Sequence, residues 1–449
     1  MTAQVNHEGK VMSFELEPVR WAGLDKDARL QLLRRPASHQ SGLKESVADI
    51  IKQVRSGGDS ALRELTIRLD GIKPVQFEIE PSALQAATER VEPGFIDALR
   101  DAASRIEAFH SADIPADSKV ETAAGLSCEA RYQALSPVGL YIPGGSAPLV
   151  STVLMLAIPA RLAGCREVVM CTPPGKDGRI PDVVLAAAQL CGVHRVFCAG
   201  GAQAVTAMAY GSGSVPHCRK IFGPGNAWVT EAKQQVSQDP DGAAIDMPAG
   251  PSEVLVIADK SANPEFIAWD LMSQAEHGPD SQVILLTDKE SLAHAVVDRL
   301  KVLAPGTARR AILEQSLAEA RIIQVDSLDE AMELSNEYAP EHLIINTENA
   351  AALAERVENA GSVFIGQWTP ESLGDYCSGT NHVLPTYGWA RSYGALGVGD
   401  YMRRMTLQQA SKEALERVGP TAETLAAIEG LEAHRMAVRA RLEEDGAVQ

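Results

Sequence analysis

The sequence predicts an α/β protein: two successive parallel-sheet units followed by a small helical C-terminal tail. Three observations carry that prediction. From Pro137 onward, short apolar runs alternate with helical stretches, the pattern of β-α units in a parallel sheet. The alternation comes in two sets of similar size. The chain has 449 residues, 45% of them apolar and 22% charged, enough for several packed cores and unlike the composition of a disordered chain.

Taken in order, residues 1–131 carry apolar residues at three- and four-residue spacing near 43–56, 58–69, 81–90 and 93–110, which predicts helices. The first set of strand-like runs is VGLYI (138–142), EVVMCT (167–172), HRVFCAG (194–200) and RKIFG (219–223). Helical stretches follow at 149–163, 181–191, 203–210 and 226–236. The second set is EVLVIAD (253–259), QVILLT (282–287), RIIQV (321–325), HLIINT (342–347) and SVFIG (362–366). After about residue 386 a Gly/Tyr-rich loop leads to two helical stretches, 406–416 and 419–444. That tail is too small for its own core and must pack on another surface, a partner subunit among the options.

Charge and cysteine usage exclude several classes. Lys+Arg number 41 against 59 Asp+Glu, a net charge of −18. Nucleic-acid binding needs a basic footprint, and an anionic membrane surface a cationic face. Tyr132–Ala160 has no charged residue and is long enough to span a bilayer. Four prolines (Pro137, Pro143, Pro148, Pro159) and three glycines interrupt it, so it reads as strand, tight loop and helix. The first twenty residues show neither a basic n-region nor an apolar h-region, so no secretory signal is expected. Seven cysteines, with no C-x-x-C pair, fit reduced, buried thiols in a cytoplasmic protein. A zinc ion would therefore use His, Asp, Glu or Gln.

Several segments carry candidate chemistry, each with an ordinary structural alternative. GLYIPGGSAP (139–148), AGGAQA (199–204) and FGPGNAW (222–228) put Gly-rich turns at strand ends, where open α/β sheets bind ligands. None is a G-x-G-x-x-G fingerprint, and tight turns alone would explain them. DMPAGPSE (246–253) sets Ser252 and Glu253 before a strand, as a loop and cap would. In SQAEHG (273–278), Gln274 and His277 share a helix face, as metal ligands or as a helix end capped by Gly278. EYAPEHL (337–343) places Glu341 beside His342, an acid/base pair or an exposed turn. GDYCSGTNHVLPTYG (374–388) holds Asp375 and His382 in an irregular stretch, more typical of a site loop than of a linker. Glu429 and His434 lie in the tail helix, where surface positions are the default.

Together, GLYIPGG, AGGAQAV, KIFGPGNAWVTEAK, IDMPAGPSEVLVIAD, DLMSQAEHGP, YAPEHL, ESLGDYCSGTNHVLPTYG and EGLEAHRMAV resemble the histidinol dehydrogenase family from about residue 15 to 445. The resemblance implies a zinc- and NAD-dependent cytoplasmic homodimer with shared sites. Its activity would be the oxidation of L-histidinol through L-histidinaldehyde to L-histidine, the last steps of histidine biosynthesis. It implies zinc ligands Gln274, His277, Asp375 and His434, and further substrate contacts at Ser252, His342, His382 and Glu429. It implies NAD contacts at Tyr141, Gln203 and Asn226. His342 would be the base for the alcohol proton and Glu341 the base that activates water.

The implied organisation is an N-terminal helical region (1–134) joining the second α/β domain, then a Rossmann-like NAD-binding domain (135–249). A second Rossmann-like domain (250–385) carries the zinc and catalytic motifs, and the helical tail (386–449) is swapped across a dimer. Both Rossmann-like domains are incomplete. Leu373 and Cys377 depart from the family pattern beside Asp375. The nearest rival is a paralogous zinc/NAD dehydrogenase acting on another small polar alcohol. A metallohydrolase would need no NAD, and no H-E-x-x-H motif is present. An inert NAD-binding protein would leave the ordered Gln, His, Asp, His set unexplained.

Overall fold

A computed structural model describes residues 14–35, 42–73, 76–144, 148–175, 177–248 and 250–443. The expected α/β architecture is observed as two six-stranded sheets and a three-stranded sheet. The first runs Glu78–Ile79, Arg195–Cys198, Val168–Thr172, Val138–Tyr141, Lys220–Phe222, Ala244–Ile245. Only its first strand is antiparallel to its neighbour. The second runs Val19–Arg20, Arg321–Gln324, Gln282–Thr287, Glu253–Ala258, His342–Asn346, Ser362–Ile365, all parallel.

Every residue of Gln282–Thr287, Glu253–Ala258 and His342–Asn346 is buried. Helices cover both faces of such a sheet, so its central strands read as continuous apolar runs rather than alternating ones. The helix Val150–Leu162 is likewise buried from Ser151 to Ala160. That burial, rather than a membrane, explains why no charge occurs before Arg161. Among the described residues no helix is long and apolar enough to cross a membrane.

The N-terminal region does not join the second sheet as a unit. Val19–Arg20 pairs with Arg321–Gln324 in the second sheet, but the helices Leu43–Asp70, Pro81–Arg90 and Pro93–Ala112 all pack on helices of the first. The cause is burial. Val47, Ile50, Val54, Leu62 and Leu65 share one cluster with Val205, Met208 and Val229. Leu43–Asp70 bends at Gly58, whose φ of 54° lies in the left-handed region. A Cβ there would stand 2.7 Å from the Ser212 carbonyl oxygen.

A second difference concerns the tail. Residues 406–410, expected to be helical, belong to the strand Met402–Ala410, which pairs antiparallel with Leu126–Ala134. Leu126–Ala134 in turn pairs with Ser118–Ala123. The two outer strands are largely exposed and the central Leu126–Ala134 is half-buried, so the sheet rests mainly on its backbone ladder. The helices Lys412–Ile428 and Glu432–Glu443 follow and pack mainly on each other. They leave Leu425, Ile428, Leu431 and Met436 exposed, Ile428 at 79%. All seven cysteines are free; Cys128, Cys165 and Cys377 are half-buried rather than buried.

Candidate active site

The second sheet builds a buried polar centre at the amino ends of its strands. Glu253 opens one strand and His342 the next, with Val254 in register with His342. The Glu253 N–H donates to Glu341 Oε2 at 2.7 Å. The Glu253 carbonyl accepts from His342 Nδ1 at 3.0 Å. A carbonyl only accepts, so Nδ1 carries a proton and Nε2 is left as the free position. That Nε2 is buried without a hydrogen-bond partner and lies 3.7 Å from Asp375 Oδ1.

The helix Glu371–Tyr376 supplies the facing carboxylates. Glu371 and Asp375 are four apart and so share a helix face. Gly374 sets the close approach, because a Cβ there would stand 2.6 Å from the Phe364 ring. Potential ligand atoms of His342, Glu371 and Asp375 lie within 4.8 Å of one another, and Glu371 Oε2 is also buried without a partner.

Gln274 reaches the same centre from the end of the helix Pro264–Ala275 and is fully buried. In the orientation that satisfies its amide, Nε2 donates to Glu371 and Oε1 accepts from the Glu253 N–H at 2.8 Å. The opposite orientation sets two oxygens against each other, stable only with a cation or proton between them. His277, one turn on, is exposed at the rim, in the field of Asp375. His382 closes another side. Its Nδ1 bonds the Asp375 carbonyl oxygen at 3.0 Å, and its Nε2 lies 3.3 Å from Thr152 Oγ1 on the first unit. Ser252 is half-buried beside Glu253.

The electrostatics follow from crowding in low dielectric. Burial pushes Glu341 above the ordinary carboxylate range, against the pull of His342. Burial pushes Glu371 further still. Burial also opposes charge on His342, but Glu371, Glu341 and Asp375 outweigh it and raise its pKa; a cation held among these carboxylates would offset their field and leave Nε2 free to accept a proton. Asp375 resists the same burial because His342, His382 and His277 surround it, and its pKa is lowered.

Three expected residues lie at the carboxyl ends of the first sheet. The Tyr141 hydroxyl accepts from the Gly201 N–H at 3.0 Å, and burial raises its pKa to about 12. Gln203 Nε2 donates to Asp70 Oδ2 at 3.2 Å. Asn226 caps the helix Ala227–Ser237 by accepting from Trp228 and Val229 N–H groups. Residues 145–147 of the Gly-rich loop lie outside the described residues. Glu429 and His434 are not brought to the centre within this chain; both are exposed on the tail.

Sequence reasoning missed Glu371 and the structural part of Glu253. The first had a signal, its four-residue spacing from Asp375. The second had none, since its peptide groups do the holding.

The fold and this centre define an α/β protein of two mainly parallel sheets, with a buried imidazole–carboxylate group at the amino ends of the second sheet's strands. The Histidinol dehydrogenase family model matches residues 33–442. The chain is 54% identical over 425 residues to histidinol dehydrogenase of Xylella fastidiosa, covering 94% of this chain and 98% of that one. It is 51% identical over 430 residues to the Vibrio parahaemolyticus enzyme, covering 96% and 99%. The crystal structure of histidinol dehydrogenase from Elizabethkingia anophelis superposes with a TM-score of 0.90 at 42% identity, covering 94% and 98%. The chain belongs to the histidinol dehydrogenase family, and so is an oxidoreductase.

Proposed function

We propose that this chain carries out the four-electron, NAD-linked oxidation of L-histidinol through L-histidinaldehyde to L-histidine in the cytoplasm. The observation that carries the reading is the anchoring of Glu341 and His342 to the N–H and the carbonyl of one residue, Glu253, with His342 Nε2 buried and unpartnered.

The donor set fits a zinc ion. Glu371 and Asp375 offer carboxylate oxygens within 4.8 Å of the His342 imidazole, and Glu371 Oε2 is buried without a partner, a concentration of negative charge that a cation would offset. Oxygen and nitrogen donors of this kind suit catalytic zinc. Asp375, Gln274 and His277 would hold it, with His434 of a second subunit completing the set. When bound, zinc supplies an anchor that orients the substrate, and NAD supplies the hydride acceptor. Tyr141, Gln203 and Asn226 are the proposed NAD contacts. They sit where open α/β sheets bind nucleotides.

The chain's own groups then account for proton movement. His342 Nε2 takes the alcohol proton as hydride leaves the carbinol carbon. Glu341 takes a proton from the water that adds to the aldehyde, and the hydrate loses a second hydride. Burial of Glu341 raises its proton affinity into the range useful for that role. Ser252, His382 and, from a second subunit, Glu429 would contact substrate.

The test is the appearance of NADH absorbance on mixing protein, NAD and L-histidinol. Two NADH per histidinol are expected, with loss of turnover after chelation and little change in circular dichroism. No NADH, or full turnover in metal-free protein, would refute the corresponding part.

A further inference from the structure

The N-terminal segment reaches the buried centre at a point that no motif marks. Arg35 follows the helix Lys26–Leu33, and its guanidinium crosses to the first residue of the strand Glu253–Ala258. Nε and Nη2 both donate to the Glu253 carboxylate, Nη2 at 2.9 Å. Nη2 also donates to the carbonyls of Tyr338 at 2.9 Å and Ala339 at 3.3 Å. The guanidinium lies over the Tyr338 ring, 3.8 Å from its centroid. The Tyr387 N–H donates to the same carboxylate at 3.2 Å. Glu253 is fully buried, so its charge needs these partners, and a planar fork is the group that matches a carboxylate at two points.

What Arg35 ties together are the strand start whose backbone holds the proposed bases and the turn that leads into the strand carrying them. One end is Glu253, whose N–H holds Glu341 and whose carbonyl holds His342. The other is the turn at Tyr338–Ala339, two residues before Glu341. Ala339 is a non-glycine residue at φ 54°, a conformation that persists only when its surroundings hold it.

We propose that Arg35 is a positioning residue for the Glu341–His342 pair, acting through Glu253 and the Tyr338–Ala339 turn. It touches neither base. It fixes the peptide groups that aim the Glu341 carboxylate and set the tautomer of His342. This rests on the reading of Glu341 and His342 as the two bases.

The experiment uses the full-length zinc-loaded enzyme with histidinol and NAD, comparing wild type, Arg35→Lys, Arg35→Ala and His342→Asn. Lysine keeps the charge beside Glu253 but cannot bond both oxygens and both carbonyls. Supporting groups one shell out typically contribute 10–100-fold, so kcat of Arg35→Lys should fall by about that factor with KM for histidinol little changed. Arg35→Ala should fall further, and millimolar guanidinium should restore part of its kcat, a rescue that a general folding defect would not show. Wild-type kcat in both Arg35 variants, beside an inactive His342→Asn, overturns the proposal alone. So does a loss confined to KM, or loss of fold in both variants without guanidinium rescue. Full activity in His342→Asn overturns the underlying reading, and the proposal with it.

Discussion

Glu341 and His342 are neighbours in sequence, yet their environments differ in a way that suits their separate proposed tasks. His342 presents one free nitrogen to the carboxylates of the centre, while Glu341 is held by a single peptide N–H. Glu341→Gln should therefore impair oxidation of supplied histidinaldehyde far more than oxidation of histidinol, since only the second step needs activated water. His342→Asn should impair both, by about 10²–10⁴-fold as for loss of a general base. Rapid-mixing assays of the two half-reactions check this; equal slowing by Glu341→Gln would move water activation to another group. A second residue-scale outcome concerns His110, buried with both ring nitrogens unpartnered. Burial lowers its pKa, with Asp113 opposing weakly. The unfolded chain then binds the extra proton first, so His110 contributes stability above about pH 6.5 that is lost as pH falls. His110→Phe should remove a slope of up to about 1.4 kcal/mol per pH unit from that window, read by denaturant titration across it.

At the scale of elements, the strands and helices from 138 to 366 follow the expected order, because fully buried strands and amphipathic helices print their periods directly on the chain. The two N-terminal helical segments meet at Gly58, where helical φ/ψ breaks. Gly58→Ala should cost about 1–3 kcal/mol, since the new Cβ meets the Ser212 carbonyl and the left-handed backbone disfavours it. Gly94→Ala, in a helix with open space around it, should be neutral or stabilising by up to about 1 kcal/mol. Melting curves of the two variants decide this, and equal effects would remove Gly58's special role. The three-stranded sheet was not legible, because Met402–Ala410 is a largely exposed strand whose partner, the half-buried Leu126–Ala134, lies far away in sequence.

At the scale of the molecule, the tail is the unsatisfied part. Its helices pack on each other and leave Leu425, Ile428, Leu431 and Met436 in solvent. Glu429 and His434 sit among them, away from the centre. The proposed resolution is an isologous dimer in which each site takes His277 from one chain and His434 from the other. Co-expressed His277→Ala and His434→Ala chains should then recover roughly a quarter of wild-type activity, as about half the dimers are mixed and each has one intact site. Activity no higher than either mutant alone would mean that each site is built within one chain.

The order of β-α units, the uncharged buried helix and the identity of most polar residues at the centre were legible in the sequence. Apolar periodicity and short motifs are local signals, and burial writes them residue by residue. Tertiary structure alone decided that the N-terminal helices cover the first sheet and that the centre lies at the amino ends of the second sheet's strands. It alone placed Arg35 on Glu253, a pairing across 218 residues. It alone made the backbone N–H and carbonyl of Glu253 the holders of two side chains. Backbone groups are the same at every residue, so no sequence pattern marks which of them will be used; only the register of neighbouring strands brings them into place.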